Sequence, residues 1–587
     1  MLKKIIKNIE LLIQKVIVST KRFPETILMA LCTAVVLIYR NHLDYSSTDL
    51  RENLMRIAMV FAIGIPLTLC MKVFFERKDT LNKAVKIGIY LGVALSLVLY
   101  YLFLLKQLNE LSVLRYVAYS IALYLIFSWI PYVFKRENYD FYVVTLFNRF
   151  VTTYLYSGIL FLGLVAIIAT VDLLFSVNIS GNIYFDIWII VAGVFAPAFF
   201  LADIPESRQE LDVKQYAKVL KVLLLYIIMP LIVAYSTILY AYFIKIIITR
   251  QWPDGILANL VLWFSIISTI VLFFISPLRN SSKWVEKFMA IFPIALIPLL
   301  TMMFISIGIR VSAYGITVNR YLVLAAALWV TGCMIYSIWD KGRRNIVFTI
   351  SLVFISIVSV TGPFSSFSIS KWSQNNRLEK ILNATHMISA DDTIIPSPDI
   401  PKVDKEEISS ILRYFNNKAW LEDLKYVPDN FEINQTKSVF GFELEGNYWN
   451  GYDNKYFNYT LLRDGKVLDI RGFDYFADFT SYSSTKIEDT NNEMIIYYSD
   501  QGRTVTIKKN NETIYSGNVD DIVINLHKKI SEANQDKQEV SLQEMTYEEK
   551  TQSLEIVYVF NHISGSESID GEVTVYTPMF YILIKMQ

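Results

Sequence analysis

Between residues 23 and 364 long apolar runs alternate with short charged intervals, and beyond residue 402 the pattern changes to short stretches in which apolar and polar residues alternate singly. A helix needs about 20 mainly apolar residues to cross a hydrocarbon core roughly 30 Å thick. Eleven runs are predicted as spans on that basis: 23–39, 57–75, 87–105, 116–134, 150–175, 187–202, 222–244, 256–276, 288–309, 321–339 and 346–364. Ahead of them, Leu2, Ile5, Ile6, Ile9, Leu12, Val16 and Ile17 recur at helical spacing with lysines between them, which predicts a cytoplasmic amphipathic helix over 1–22 and no cleavable signal.

Residues 365–401 read as a connector, with a Ser-rich start, a short polar helix around KWSQNNRLEKIL, and then Pro396, Pro398 and Pro401. From 402 to 587 the period-two stretches YFNYTLL, KVLDIRGF, MIIYYS, TVTIKK, LEIVYVF and GEVTVYTPMFYILI predict strands. Turn formers lie between them at Arg463-Asp464-Gly465, Asp500-Gln501-Gly502 and Asn510-Asn511, and helices are predicted near 404–417 and 519–533. The fold class expected is therefore a polytopic α-helical membrane protein with a C-terminal, strand-rich mixed α+β domain.

Charge adds an orientation. With the N-terminus inside, the inner loops hold 24 Lys and Arg, counting Lys72 at the inner end of the second span, and the outer loops 9, so the positive-inside rule places the C-terminal domain outside the cytoplasm. The formal net charge of +1 conceals a division, with residues 1–370 at +14 and residues 371–587 at −13. A basic apolar part followed by an acidic polar part argues against a nucleic-acid-binding protein and a cytosolic enzyme. The three cysteines, Cys32, Cys70 and Cys333, all fall in predicted spans, so no disulfide framework is available to the outer domain. The Ile/Lys/Asn-rich composition suggests a bacterium, hence a multi-pass protein of the bacterial cytoplasmic membrane.

Candidate chemistry is sparse. No phosphate-binding G-x-x-x-x-G-K-[ST] occurs, the four histidines have no paired metal spacing, and no G-x-S-x-G is present. No cofactor and no metal are expected, and the chain leans away from catalysis. Asp172, near the outer end of the fifth span, is an intramembrane acid of the kind that couples to protons or cations, or an interfacial group. Pro66, Pro197, Pro230, Pro293 and Pro298 interrupt spans, as in the broken helices of transporters and also in ordinary membrane helices. The first outer loop carries His42, Asp44, Asp49, Arg51 and Glu52, a position where lipid-sugar transferases hold a catalytic acid, though on longer loops.

Four segments carry a family likeness: RFPETILMAL (22–31), PLIVAYSTILYAYFIKIIITRQWPDG (230–255), RVSAYGITVNRYLVLAAALW (310–329) and GPFSSFSISKWSQNNRLEKIL (362–382). In order and spacing they resemble the bacterial membrane proteins catalogued as domain of unknown function 4153. The resemblance implies no activity and no catalytic residue, but charge counting places three of its segments on the outer side. They are expected to form one outer-face platform of Trp252, Asp254, Arg310, Tyr314, Arg320, Gln374 and Arg377, with Asp254 pairing with an arginine and the C-terminal domain docked upon it. The alternative is that the same residues are interfacial anchors and helix-end locks.

The expected role is non-enzymatic envelope binding, sensing or assembly through the outer face. Its partners would be the lipid bilayer and an envelope protein or lipid-linked ligand. A secondary transporter and a lipid-linked glycan or phospho-group transferase are the rival readings.

Overall fold

The structure is a computed structural model that describes residues 14–44, 47–78, 81–132, 139–175, 177, 179–205, 216–250, 256–340, 345–389, 391, 393–445, 454–462, 468–480, 486–488, 493–499, 503–533, 539–568, 573–576 and 578–587. Contacts divide the chain into two units, Met1–Lys380 with Asp423–Lys425, and Ile381–Glu422 with Tyr426–Gln587.

In the first unit the apolar runs are helices. They are α1 (Gln14–Arg22), α2 (Pro24–Asn41), α3 (Thr48–Arg77), α4 (Lys83–Leu99), α5 (Glu110–Trp129), α6 (Tyr139–Phe175), α7 (Gly181–Ile190), α8 (Ala196–Ala202), α9 (Lys218–Val222), α10 (Met229–Thr249), α11 (Ile256–Ile275), α12 (Lys283–Tyr314), α13 (Val318–Asp340), α14 (Ile346–Val360) and α15 (Ser366–Ala384). Among the described residues, nine helical stretches are long and apolar enough to cross a membrane, or ten if α1 and α2, bent by 106°, count as one. Eleven were expected. The shortfall lies in α2, which passes only together with α1, and in the 15-residue α14, which stops short of Gly362 with its left-handed φ of 78°.

A helix satisfies its own backbone, which is why it suits a medium without water. Hydroxyls buried between helices turn back onto the same ladder: Thr68 Oγ1 donates to Gly64 O at 2.8 Å and Ser265 Oγ to Val261 O at 2.6 Å. Pro66, Pro293 and Pro298 lie inside unbroken helices. Pro197 and Pro230 each follow a π-helical turn, Val191–Phe195 and Leu223–Ile228. A wider turn there relieves the clash of the proline ring with the carbonyl four residues back. A third π turn, Tyr100–Leu104, continues α4 without any proline.

The largest core contains residues of α2, α3, α6 and α10 to α14, with Met229, Met302 and Met303 fully buried. A smaller cluster of Met59, Ile63, Leu97, Tyr100 and Leu105 joins α3 to α4. The 37-residue α6 is different, because Leu155, Ile159, Leu162, Ile167 and Leu173 are all exposed. Such a helix is not stable in water, and it fits a lipid-facing position in a multi-pass membrane protein.

Among its described residues the second unit holds α16 (Lys402–Asn417), α17 (Thr436–Phe440), α18 (Val519–Ala533) and eleven strands. They are β1 (Asn454–Leu461), β2 (Tyr475–Phe479), β3 (Lys486–Glu488), β4 (Met494–Ser499), β5 (Thr504–Lys509), β6 (Glu512–Asn518), β7 (Glu539–Val540), β8 (Thr546–Lys550), β9 (Leu554–Ser568), β10 (Val573–Val575) and β11 (Met579–Met586). One sheet runs β2-β11-β9-β1-β7, with β8 and β10 also paired to β9, and the other is the meander β3-β4-β5-β6. All pairings are antiparallel except β1 with β7. Val519, Val523, Leu526 and Ile530 of α18 enter the core shared with both sheets. The turn between β5 and β6 has Asn510 and Asn511 at φ 48° and 72°, the left-handed pair that a tight hairpin needs. Residues 468–473 of the expected strand KVLDIRGF form no strand.

Candidate functional site

The α12–α13 turn is held by side chains from α15. Ser373 Oγ accepts from Ile316 N–H at 2.8 Å, and Gln374 Nε2 donates to the carbonyls of Tyr314 at 3.1 Å and Ile316 at 3.2 Å. Arg320, in the first turn of α13, donates through Nη1 to Tyr314 O at 3.2 Å and Gly315 O at 3.0 Å. Helix ends leave carbonyls without intrahelical partners, and these donors satisfy them. Gly315 has φ 68°, and a Cβ there would lie 2.9 Å from Gln374 Nε2, so both the backbone shape and the close approach select glycine.

The exposed ring of Tyr314 has two guanidinium groups near it, Arg320 at 5.5 Å and Arg377 at 5.9 Å from its centroid. Both lie within the range of cation–π attraction. Next along α15, buried Asn375 brackets the segment 423–425, donating to Asp423 O and accepting from Lys425 N–H, each at 2.9 Å. Lys371 forms an ion pair with Asp423 at 2.5 Å.

Of the expected platform, the structure thus brings Tyr314, Arg320, Gln374 and Arg377 together. Arg310 is half-buried one helical turn earlier and makes no hydrogen bond or ion pair with a described residue. Trp252 and Asp254 lie outside the described residues. Asp172, half-buried, accepts from Ile179 N–H at 3.0 Å and closes the end of α6. Between the end of α2 and the first turn of α3, Asp44 and Asp49 are exposed, whereas His42 and Asn41 both engage Asp186 of α7, at 2.6 and 2.8 Å. That link joins residues 144 positions apart, and no local pattern announces it. Among the described residues, no three His, Cys, Asp or Glu side chains gather to hold a metal ion.

A buried polar cluster in the second unit also escapes sequence reading. His527 of α18 is stacked on Phe457 at 3.8 Å between ring centroids. Its Nδ1 meets the Tyr459 hydroxyl at 2.9 Å, and its Nε2 lies 3.5 Å from Glu567. Burial, with the Glu567 charge adding to it, pushes the Tyr459 phenol up to about 12. Gly565 faces this stack, since a Cβ there would lie 2.5 Å from Phe457 Cζ.

A family model described as domain of unknown function (DUF4153) matches residues 26–393. An uncharacterized protein of Pasteurella multocida (strain Pm70) is 21% identical over 266 residues, covering 44% of this chain and 45% of that protein. The match thus spans about half the length of that relative. No solved structure matches.

Proposed function

This chain belongs to the family defined by that domain of unknown function, and we propose that it is a non-enzymatic binding protein of a bacterial cytoplasmic membrane, engaging an anionic envelope component at its extracytoplasmic face. In this reading it has eleven spans, the N-terminus inside and the C-terminal domain outside, and it serves envelope sensing or assembly. The loop charges support the orientation, with 24 Lys and Arg on one side and 9 on the other. The exposed face of α6 supports the lipid setting.

The observation that carries the binding role is the Tyr314 ring with Arg320 and Arg377 beside it, on a turn fixed by five hydrogen bonds. A held turn with clustered positive charge beside an aromatic face suits a phosphate or carboxylate carried on an apolar body. Asp44 and Asp49 are both exposed, which favours the binding reading over a transferase that would hold them in a cavity.

Two measurements test the reading. An impermeant maleimide should label a Ser553→Cys variant on intact cells and a Ser281→Cys variant only after permeabilisation; the reverse pattern would invert the orientation. Native mass spectrometry of the full-length protein with added polyprenyl phosphate should show retained ligand that Arg377→Gln and Tyr314→Leu each weaken. Retention unchanged in both variants would remove the site.

A further inference from the structure

A cavity of about 200 Å³ lies among α3, α4, α5 and α14, with Ile63, Leu97, Tyr100, Tyr119, Ala122 and Ile357 on its walls. For comparison, an engineered apolar cavity of about 150 Å³ in a soluble protein takes up benzene. Three hydroxyls lie on the walls. Ser96 turns back to Val93 O at 2.7 Å, and Tyr119 is bonded to Thr361 at 2.8 Å. The Tyr100 hydroxyl, on a residue only 7% exposed, has no partner among the described residues. A buried hydroxyl left unpaired is costly, so its persistence points to an acceptor that binds there.

The backbone at the same residue is irregular. Leu105 N–H closes onto Tyr100 O at 3.2 Å to make the π turn, and no proline accounts for it as prolines account for the other two. Such turns recur at functional sites because the extra residue re-aims side chains. Tyr100 is four residues from the end of its helical stretch and Tyr119 nine from the start of α5, which at 1.5 Å per residue places them roughly 6 and 14 Å below those helix ends. Two arginines stand at this same end. Arg56 donates to Leu105 O at 2.5 Å and lies over the Tyr101 ring, and Arg115 donates to Val360 O at 3.3 Å.

From these observations we infer a binding site for one acyl chain of a bilayer phospholipid. The hydrocarbon fills the cavity, the ester carbonyl accepts from the Tyr100 hydroxyl, and the phosphate lies toward Arg56 and Arg115. An ester carbonyl is the first acceptor below a phospholipid phosphate, which is the order in which guanidinium, phenol and apolar wall occur here. The residues are separate from those around Tyr314, so this inference stands or falls independently of the proposed binding role.

The test uses the full-length protein in nanodiscs of phosphatidylethanolamine and phosphatidylglycerol, doped with a phosphatidylglycerol bearing a diazirine beside the ester of one chain. Photolysis should give adducts on cavity residues. Tyr100→Phe, which removes one oxygen, should lower their yield roughly three- to ten-fold, as loss of one hydrogen bond does. Ala122→Phe should abolish them by filling the space, while adducts on the exposed face of α6 stay constant in both variants. Cavity adducts that survive Tyr100→Phe unchanged, label confined to α6, or displacement by polyprenyl phosphate at concentrations where added phosphatidylglycerol has no effect would each overturn the assignment. Should Ala122→Phe fail to fold, Tyr100→Phe decides.

Discussion

Gly315 shows how one position can join two constraints, a left-handed φ and contact with Gln374. Gly315→Ala is expected to destabilise the protein by about 1–3 kcal/mol, read as a lower melting midpoint in detergent. Gly88→Ala, in α4 with open space around it, should be neutral or raise stability by up to about 1 kcal/mol. Equal effects at the two positions would show that the Gly315 turn is not strained. The sequence points to this neighbourhood, since Tyr314, Arg320, Gln374 and Arg377 all lie in segments that carry the family likeness. What it does not contain is the pairing of a turn at 315 with side chains some 57 to 60 positions later, because helix packing and not spacing decides that contact. Arg310, equally prominent in the sequence, stays apart from the group.

Tyr459 supplies a pH dependence. Its folded pKa of about 12 lies above the value of about 10 for an exposed phenol. Folding therefore favours the protonated form, and the stability it contributes is complete below about pH 10 and lost as pH rises toward 12. Denaturant titrations of the full-length protein should show stability falling across that window, with tyrosinate absorbance appearing late. Tyr459→Phe should flatten the fall, and an unchanged slope would assign it to other groups.

Among elements, the bend between α1 and α2 follows from four residues, Arg22-Phe23-Pro24-Glu25. Pro24 disfavours helical geometry at the residue before it, and Phe23 is fully buried where the chain turns. Arg22 clamps the bend by a paired contact with both oxygens of Glu76, each at 2.8 Å, and by donating to Ile204 O at 2.6 Å. Its side chain is 17% exposed and that of Glu76 23%, so Glu76→Ala would leave a largely sheltered guanidinium and cost about 2 kcal/mol. Thermal unfolding in nanodiscs checks this, with Arg22→Ala/Glu76→Ala losing less than the sum of the single variants. Apolar length made the helices legible, and their irregularities were not. Prolines read as breaks are absorbed, at 197 and 230 by π turns, at 66, 293 and 298 within continuous helix. Strand alternation is legible for β4 and β5, where one face is buried, is absent from the centre of β9, where Ile556–Phe560 are buried on both faces, and is misleading at 468–473, where alternation exists without a partner strand.

At the scale of the molecule, the two units follow from composition. An apolar, positively charged part makes helices, and an acidic, Tyr- and Asn-rich part makes two sheets. In the second unit a single strand organises the larger sheet. The 15-residue β9 is hydrogen-bonded to β1, β8, β10 and β11. Native-state hydrogen exchange should find its Ile556–Phe560 amides among the slowest of the unit, since they sit between two neighbours in the core.

That strand also sets a timetable. β1 is made about a hundred residues before β9, and its seven pairings with β9 wait until residues 562–568 have been synthesised. Until then the only strand beside β1, among the described residues, is the two-residue β7. A ribosome paused before residue 554 would therefore hold a chain whose second unit cannot yet close its larger sheet. At that moment chaperones and proteases would compete for it.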